Sequence, residues 1–332
     1  MIRRAFRLLA SLRLTFVGML LLVVAVLATY RGGLTPTWVA VVFALLGVNL
    51  LAAIATHSRI RQSVGLLVFH LGLLGILFGA AADLLLRFEG RLEIVEGQTL
   101  SPELVEVVTR GPWHRVHLHE ATFLQGPIEV DYAPGHVRRA TRSEVWIPGS
   151  DSHGGQSRYL GENQALHNAG YRFVTTSNKG FAVLFTWHGN DGRVESGAVH
   201  FPSYPLYDWK QQNEWRTPQG QSLHFALKPG AAPPLDSAWT LSSAIGGNLV
   251  IHDERGESLL VPGATRHYEG GGLHFDGVRM WMGYRVDYQP LLPFLFLAAV
   301  CGITGLAWHF YGRLRADLPS QHAMGEALGA GP

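Results

Sequence analysis

Cysteine is almost missing. Cys301 is the single one among 332 residues, and it lies in an apolar run. One thiol excludes an internal disulfide, a CxxC redox pair, a CxxCH haem-attachment site and a cysteine-built zinc site. It also excludes the usual mechanism of a thiol-transfer membrane protein. Charge is scarce too, at 16% of residues against about 25% in an average soluble domain. Neither part of the chain carries the basic excess expected of a nucleic-acid partner. No GxSxG, Walker A or HExxH pattern occurs, so no nucleophile or metalloprotease constellation stands out. The paired acids Asp253 and Glu254 sit in a predicted turn and mean little alone.

What the chain has is apolar length, distributed unevenly. Hydrophobic residues make up 47% of the sequence. Residues 87–288 hold 18 Lys+Arg and 22 Asp+Glu, a formal −4, while the remainder holds 9 basic and 3 acidic residues, a formal +6. A spanning helix needs about 20 mostly apolar residues. Four stretches qualify: Leu14 to Tyr30, Thr37 to Thr56, Val64 to Leu86 and Leu291 to Tyr311. The first reads as a span rather than a signal peptide, because two more spans follow at once and no small-x-small site closes it. Basic residues cluster before the first span (Arg3, Arg4, Arg7, Arg13), after the second (Arg59, Arg61) and after the fourth (Arg313, Arg315). Only Arg31 falls in the short loop opposite. By the positive-inside rule both termini are cytoplasmic and residues 87–288 lie outside, in the periplasm of a Gram-negative cell. The expected divisions are 1–86 (tail and three spans), 87–288 (exported domain) and 289–332 (fourth span and tail).

The exported segment has a strand-like pattern. Arg91–Gly97, Arg115–Phe123, Ser143–Ile147, Tyr171–Ser177, Phe181–Gly189, Asn248–Glu254 and Leu273–Val286 alternate or are β-branched and aromatic. Asn-Lys-Gly at 178–180 and Asn-Asp-Gly at 190–192 read as hairpin turns. A short helix is expected near Pro102–Val108, and long loops at 148–156 and 229–234. The predicted architecture is a sandwich-like, β-rich domain or a curled antiparallel sheet.

Histidine carries the candidate chemistry. Of 16, twelve lie in the exported segment. His70 stands six residues into the third span, about 9 Å from its cytoplasmic end. At that depth an ionisable side chain is a functional hypothesis by default. It is either a neutral histidine bonded to a neighbouring helix or an axial haem ligand. Gly65, Gly72, Gly75 and Gly79 fit both readings by letting another helix approach. His57 and His309 fall at the same boundary; His57 reads first as an interfacial residue flanking Arg59 and His309 as part of an interfacial aromatic belt, with either near enough to His70 to be a second ligand. His114, His117 and His119 form H-x2-H-x-H; with no further ligand at a recognisable spacing, a solvated strand edge is expected and no metal site. Asp83 is expected to snorkel or to pair with Arg87 at i+4.

Several stretches in this order resemble the ResB/CcsB membrane proteins of cytochrome c biogenesis system II. LLASLRLTFVGMLLL is similar to the family's opening, VFHLGLLGILFGA to its third span, and RFEGRLEIVEGQT to the start of its exported region. IEVDYAPGHVRRATRSEVWI resembles a strand pair with a glycine turn and a later serine. LGENQALHNAGYRFVTTS resembles an N-x-P-L…G-Y-x-F segment, with Ala165 in place of proline. GYRVDYQPLLPFLFLAAVCGITGLAWHF resembles the last strand and span, with Asp287-Tyr288-Gln289-Pro290 where Asp-Pro-Gly is usual. The exported segment is short for the family. The resemblance implies a subunit that works with CcsA, a tryptophan-rich membrane protein, to carry haem b outward and join it to the CxxCH thiols of an apocytochrome c. One membrane histidine from each protein would hold the haem, and here that role falls on His70. The expected partners are a CcsA-like protein, apocytochrome c and a periplasmic thiol reductant. A membrane b-type cytochrome, with both ligands in this chain, and a non-catalytic scaffold are the competing readings.

Overall fold

The computed structural model describes residues 8–115, 117–149 and 155–317. Arg3, Arg4, Arg7, Val116, much of the loop expected at 148–156 and the tail from residue 318 lie outside them. Two compact units are formed, one from residues 1–88, 109–115 and 288–332, the other from 89–108 and 116–287.

The first unit is helical. Its helices are α1 (Leu12–Tyr30), α2 (Pro36–Thr56), the short α3 (Ser58–Gln62), α4 (Val64–Leu86) and α5 (Leu292–Asp317). Among the described residues α1, α2, α4 and Leu292–Arg315 of α5 are long and apolar enough to cross a membrane. Pro36 sits at the start of α2, where its missing N–H costs nothing. Ser63 caps α4 by accepting from the Leu66 N–H. Arg87 closes α4 and pairs with Asp83 at 3.2 Å, the i+4 pairing expected.

Glycine sets how α4 meets α5. A Cβ on Gly72 would stand 2.5 Å from Gly302 N, 2.6 Å from its Cα and 2.7 Å from Ala298 O, all backbone or small-residue positions of α5. Gly65 faces Gly305 and His309 in the same way. The face defined by Gly65, Gly72 and Gly79 repeats every seven residues; the two backbones touch at Gly65 and Gly72, and Gly79 receives the Phe294 and Leu295 side chains. Between α1 and α2 the tie is polar. Asn49, only 4% exposed, accepts from Thr15 Oγ1 at 2.7 Å and donates through Nδ2 to Leu9 O and Ser11 O. In an apolar bundle such bonds satisfy groups that have no water to turn to.

The second unit is β-rich, and in place of the two layers of a simple sandwich it has three sheets. The largest joins β1 (Phe88–Val95), β2 (Val105–Arg110), β6 (Leu166–Asn168), β7 (Tyr171–Gly189), β8 (Val194–His200), β14 (Thr265–Tyr268) and β15 (Gly271–Tyr288). A second contains β3 (Leu124–Ala133), β4 (Val137–Ile147), β5 (Gln156–Leu160) and β11 (Trp239–Leu241). The third orders β9 (Gln212–Arg216), β10 (Ser222–Pro229), β12 (Gly247–Asp253) and β13 (Gly256–Leu260) as β13-β12-β10-β9.

Three local expectations fail. Asn178-Lys179-Gly180 is no hairpin. It lies inside β7, where Met282 pairs with Lys179 and Tyr284 with Thr175, so Gly283 alone stands opposite residues 176–178 as a bulge. The continuous partner strand β15 outweighs the turn propensity of the tripeptide. Residues 117–123 do not form a strand either. Leu118–Ala121 is a 3-10 turn whose ends, Leu118 and Ala121, are both buried. The helix expected near Pro102–Val108 shrinks to Pro102–Leu104 before the chain enters β2. Asn190-Asp191-Gly192 does turn β7 into β8, with Gly192 at φ +80°.

Polar side chains join the sheets inside the core. Gln125 Nε2 donates to Ser143 Oγ at 2.8 Å, Ser143 bonds the Tyr284 hydroxyl, and Tyr284 donates to Gln125 Oε1 at 2.7 Å. The ring is closed and fully buried, and burial pushes the Tyr284 phenol well above its ordinary range. Glu96 accepts from Ile128 N at 2.8 Å and Met280 N at 3.2 Å, tying β3 to β15. Tyr284→Phe would leave the Gln125 oxygen buried without a donor. It is expected to lower the unfolding free energy by about 1–3 kcal/mol, read by denaturant titration of tryptophan fluorescence; an unchanged midpoint would refute this role for the ring.

Candidate functional site

His70 lies on α4 opposite the glycine face. Its Nδ1–H donates to Leu66 O at 2.7 Å. The proton is thereby held on Nδ1, and Nε2 carries the lone pair a metal needs. The ring meets Phe69 edge-on, with centroids 5.1 Å apart. His57 ends α2, and its Nδ1 is bonded to Ala53 O at 3.0 Å in the same i−4 geometry. Thr56 Oγ1 lies 3.1 Å from that nitrogen and donates to Ala52 O. His57, too, presents a free Nε2.

Both histidines line one cavity of about 620 Å3. Its walls come from α1 (Leu12, Thr15, Met19, Leu22), α2 (Leu46, Asn49, Leu50, Ala53), Ile60 of α3 and His70, Leu73 and Leu77 of α4. Apart from the two imidazoles, Thr15, Asn49 and the Met19 thioether, the lining is hydrocarbon. Thr15 and Asn49 are engaged with each other, so the histidines are the polar groups left to act on an occupant. A flat apolar macrocycle with an iron centre suits such a lining, because neutral imidazole is a standard haem-iron ligand.

His309 does not line this cavity. It sits on α5 with Nδ1 3.0 Å from Ser63 Oγ. Ser63 also accepts from Leu66 N, and its bond to His309 ties α5 to the start of α4. His57 closes α2, His309 of α5 lies against Gly65 at the start of α4, and His70 lies one to two turns further along α4.

The H-x2-H-x-H residues do not come together as ligands. His114, buried in the helical unit, bonds Leu86 O at 2.9 Å and stacks on Phe88 at 5.1 Å. His117 precedes the 3-10 turn of the other unit and His119 lies within it, 3.5 and 3.8 Å from Glu120 respectively. Among the described residues no three His, Cys, Asp or Glu side chains converge as a metal site. Asp253, read as an idle turn acid, has a fully buried side chain 2.6 Å from Arg266 Nη2.

The ResB-like family model matches residues 53–316. The chain belongs to the ResB-like family. The matched segment of this ResB-like protein takes in His57, His70 and His309 and stops short of α1, most of α2 and, Ala53 excepted, the cavity walls they supply. Against curated proteins the sequence has no match.

Proposed function

We propose that this ResB-like protein serves cytochrome c biogenesis as the subunit that receives haem b within the membrane and passes it outward, together with a CcsA-like protein, for attachment to apocytochrome c. The observation that carries the reading is the shared cavity of His70 and His57, each with its lone pair on Nε2. The family assignment supports the process, and the four apolar helices support a multi-pass protein of the inner membrane. With the basic residues cytoplasmic, both termini face the cytoplasm, the β-rich unit lies in the periplasm, and the cavity opens in the inner leaflet. There a haem arriving from the cytoplasm meets it first. His70 is the principal axial ligand and His57, rather than His309, the second within this chain. The β-rich unit docks the CcsA-like protein or the apocytochrome. Lacking cysteine, it leaves thiol reduction to a periplasmic reductant.

The same histidine pair favours a second reading, a membrane b-type cytochrome holding haem through both imidazoles. Absorption spectra of wild type, His70→Ala, His57→Ala and His309→Ala, purified with and without the CcsA-like protein, separate the two. A haem carrier loses most of its haem without that partner, and a b-type cytochrome keeps a stable, redox-active haem alone. His70→Ala is expected to lose haem several-fold in either case and to regain it with added imidazole. His57→Ala should shift the spectrum and His309→Ala should not. Spectra unchanged in His70→Ala would remove the proposal.

A further inference from the structure

We propose a second site, unrelated to haem, on the exposed face of the sheet β13-β12-β10-β9: a two-histidine site for a divalent transition metal of the zinc and copper class. The strand registers put four residues in one row. Glu214 of β9 pairs with His224 of β10, His224 pairs with His252 of β12, and His252 pairs with Glu257 of β13. Directly paired residues of an antiparallel ladder project from the same face. The row therefore reads Glu-His-His-Glu across four strands, and all four side chains are exposed. Glu214, His224 and His252 also line one surface concavity of about 540 Å3.

The spacing suits a metal between the histidines. Cβ atoms of directly opposed residues stand about 4.5–5.5 Å apart. Zinc–nitrogen bonds of about 2.0–2.1 Å in a tetrahedral site need the two nitrogens roughly 3.4 Å apart. Exposed imidazoles on neighbouring strands reach that separation by rotation about their side-chain bonds alone. The glutamates are too far along the row to bind the same ion, and each neighbours one histidine in register. His252 Nδ1 is 4.0 Å from Glu257 Oε2, while the Glu214 carboxylate, on the residue paired with His224, lies 3.6 Å from Arg216 Nε. A carboxylate that accepts the N–H facing away from the metal fixes the tautomer and strengthens the ligand. Two imidazoles select zinc or copper over magnesium or calcium. The remaining coordination positions stay open to water or to a ligand from another molecule.

The test is Zn2+ titration of the full-length protein in detergent against a chromophoric chelator. Wild type should show one site that His70→Ala leaves unchanged, which separates this site from the haem reading. His224→Ala and His252→Ala should each weaken it by at least about 10-fold, and Glu214→Gln and Glu257→Gln by about 10-fold. His188→Ala, an exposed histidine outside the row, should bind like wild type. X-ray absorption of the wild-type complex should show two imidazole nitrogens on zinc, and that measurement decides the matter if either alanine variant fails to fold. Equal affinity and stoichiometry in wild type and the His224→Ala/His252→Ala double variant, or a zinc spectrum without imidazole, would overturn the proposal.

Discussion

Gly72→Ala is expected to cost the protein its α4–α5 packing and most of its recoverable folded material. The added Cβ would meet the backbone N and Cα of Gly302 and the Ala298 carbonyl at 2.5–2.7 Å, and no side-chain rotation relieves a clash with backbone. The helices must separate. Within a bilayer no hydrophobic force draws them back, since lipid is as apolar as leucine. Overpacking of this kind costs about 1–3 kcal/mol and more when the neighbours cannot move. Alanine also raises helix propensity by about 1 kcal/mol over glycine, so an unclashed site should gain. Gly312 on α5 has nothing within 4 Å, and Gly312→Ala is the matching control. Gly75→Ala meets one methyl, Ala298 Cβ at 3.0 Å, and should fall between. The readout is the thermal midpoint and monodisperse yield in detergent. Equal behaviour of Gly72→Ala and Gly312→Ala would refute the account. His70 lies two residues from Gly72, on the opposite face of α4, so a displaced α4 also moves the cavity wall.

The four long apolar helices were legible in the sequence because hydropathy is additive along the chain and needs no partner. Val64–Leu86 is α4 as read, and the other three shift only at their ends. His70 was legible for the same reason, as a polar residue inside an apolar run. Its relation to His57 was not. His57 and His309 stand at the same bundle end, and which of them shares a cavity with His70 depends on helix rotation and on which helices neighbour α4. The glycines at 65, 72 and 79 announced a close helix without naming α5. In the β-rich unit, alternation located five of the fifteen described strands, among them the two longest, β7 and β15, but the polar ring of Gln125, Ser143 and Tyr284 looks like ordinary surface polarity until the sheets are packed. The row of Glu214, His224, His252 and Glu257 depends on register across three pairings, one of them between the non-consecutive strands β10 and β12, which local pattern does not encode. At 178–180 the tripeptide pointed the wrong way, because a turn signal is a local preference and β15 supplies partners along the whole length of β7.

That misread tripeptide contains the residue with the largest expected gain on substitution. Lys179 is 3% exposed, and among the described residues its ammonium has one hydrogen-bond partner, Thr141 Oγ1 at 3.3 Å. Burial, with the Arg138 charge adding to it and Glu162 opposing, pulls its pKa down from 10.5 to about 8. At neutral pH the folded protein therefore carries a buried charge that water would solvate better. The corresponding cost is on the order of 3 kcal/mol. Lys179→Met keeps the length and the apolar stem and removes the charge. It is expected to raise the unfolding free energy at pH 7 by about 2–3 kcal/mol, as apolar replacements of buried ionic groups can. The pH dependence supplies an independent mark. Between about pH 8 and 10 the unfolded lysine still holds its proton while the folded one has lost it, so wild-type stability rises with pH in that window. The variant should lack the rise. Above pH 10 the sign reverses in both proteins. Burial holds Tyr132 and Tyr204 up to about 12, so they keep protons that unfolded phenols release near 10. Guanidinium unfolding of full-length protein, followed by tryptophan fluorescence at pH 7, 8.5 and 9.5, measures both effects. A variant less stable than wild type at pH 7, or one with the same slope between pH 8 and 9.5, would show that Lys179 is compensated in the folded state.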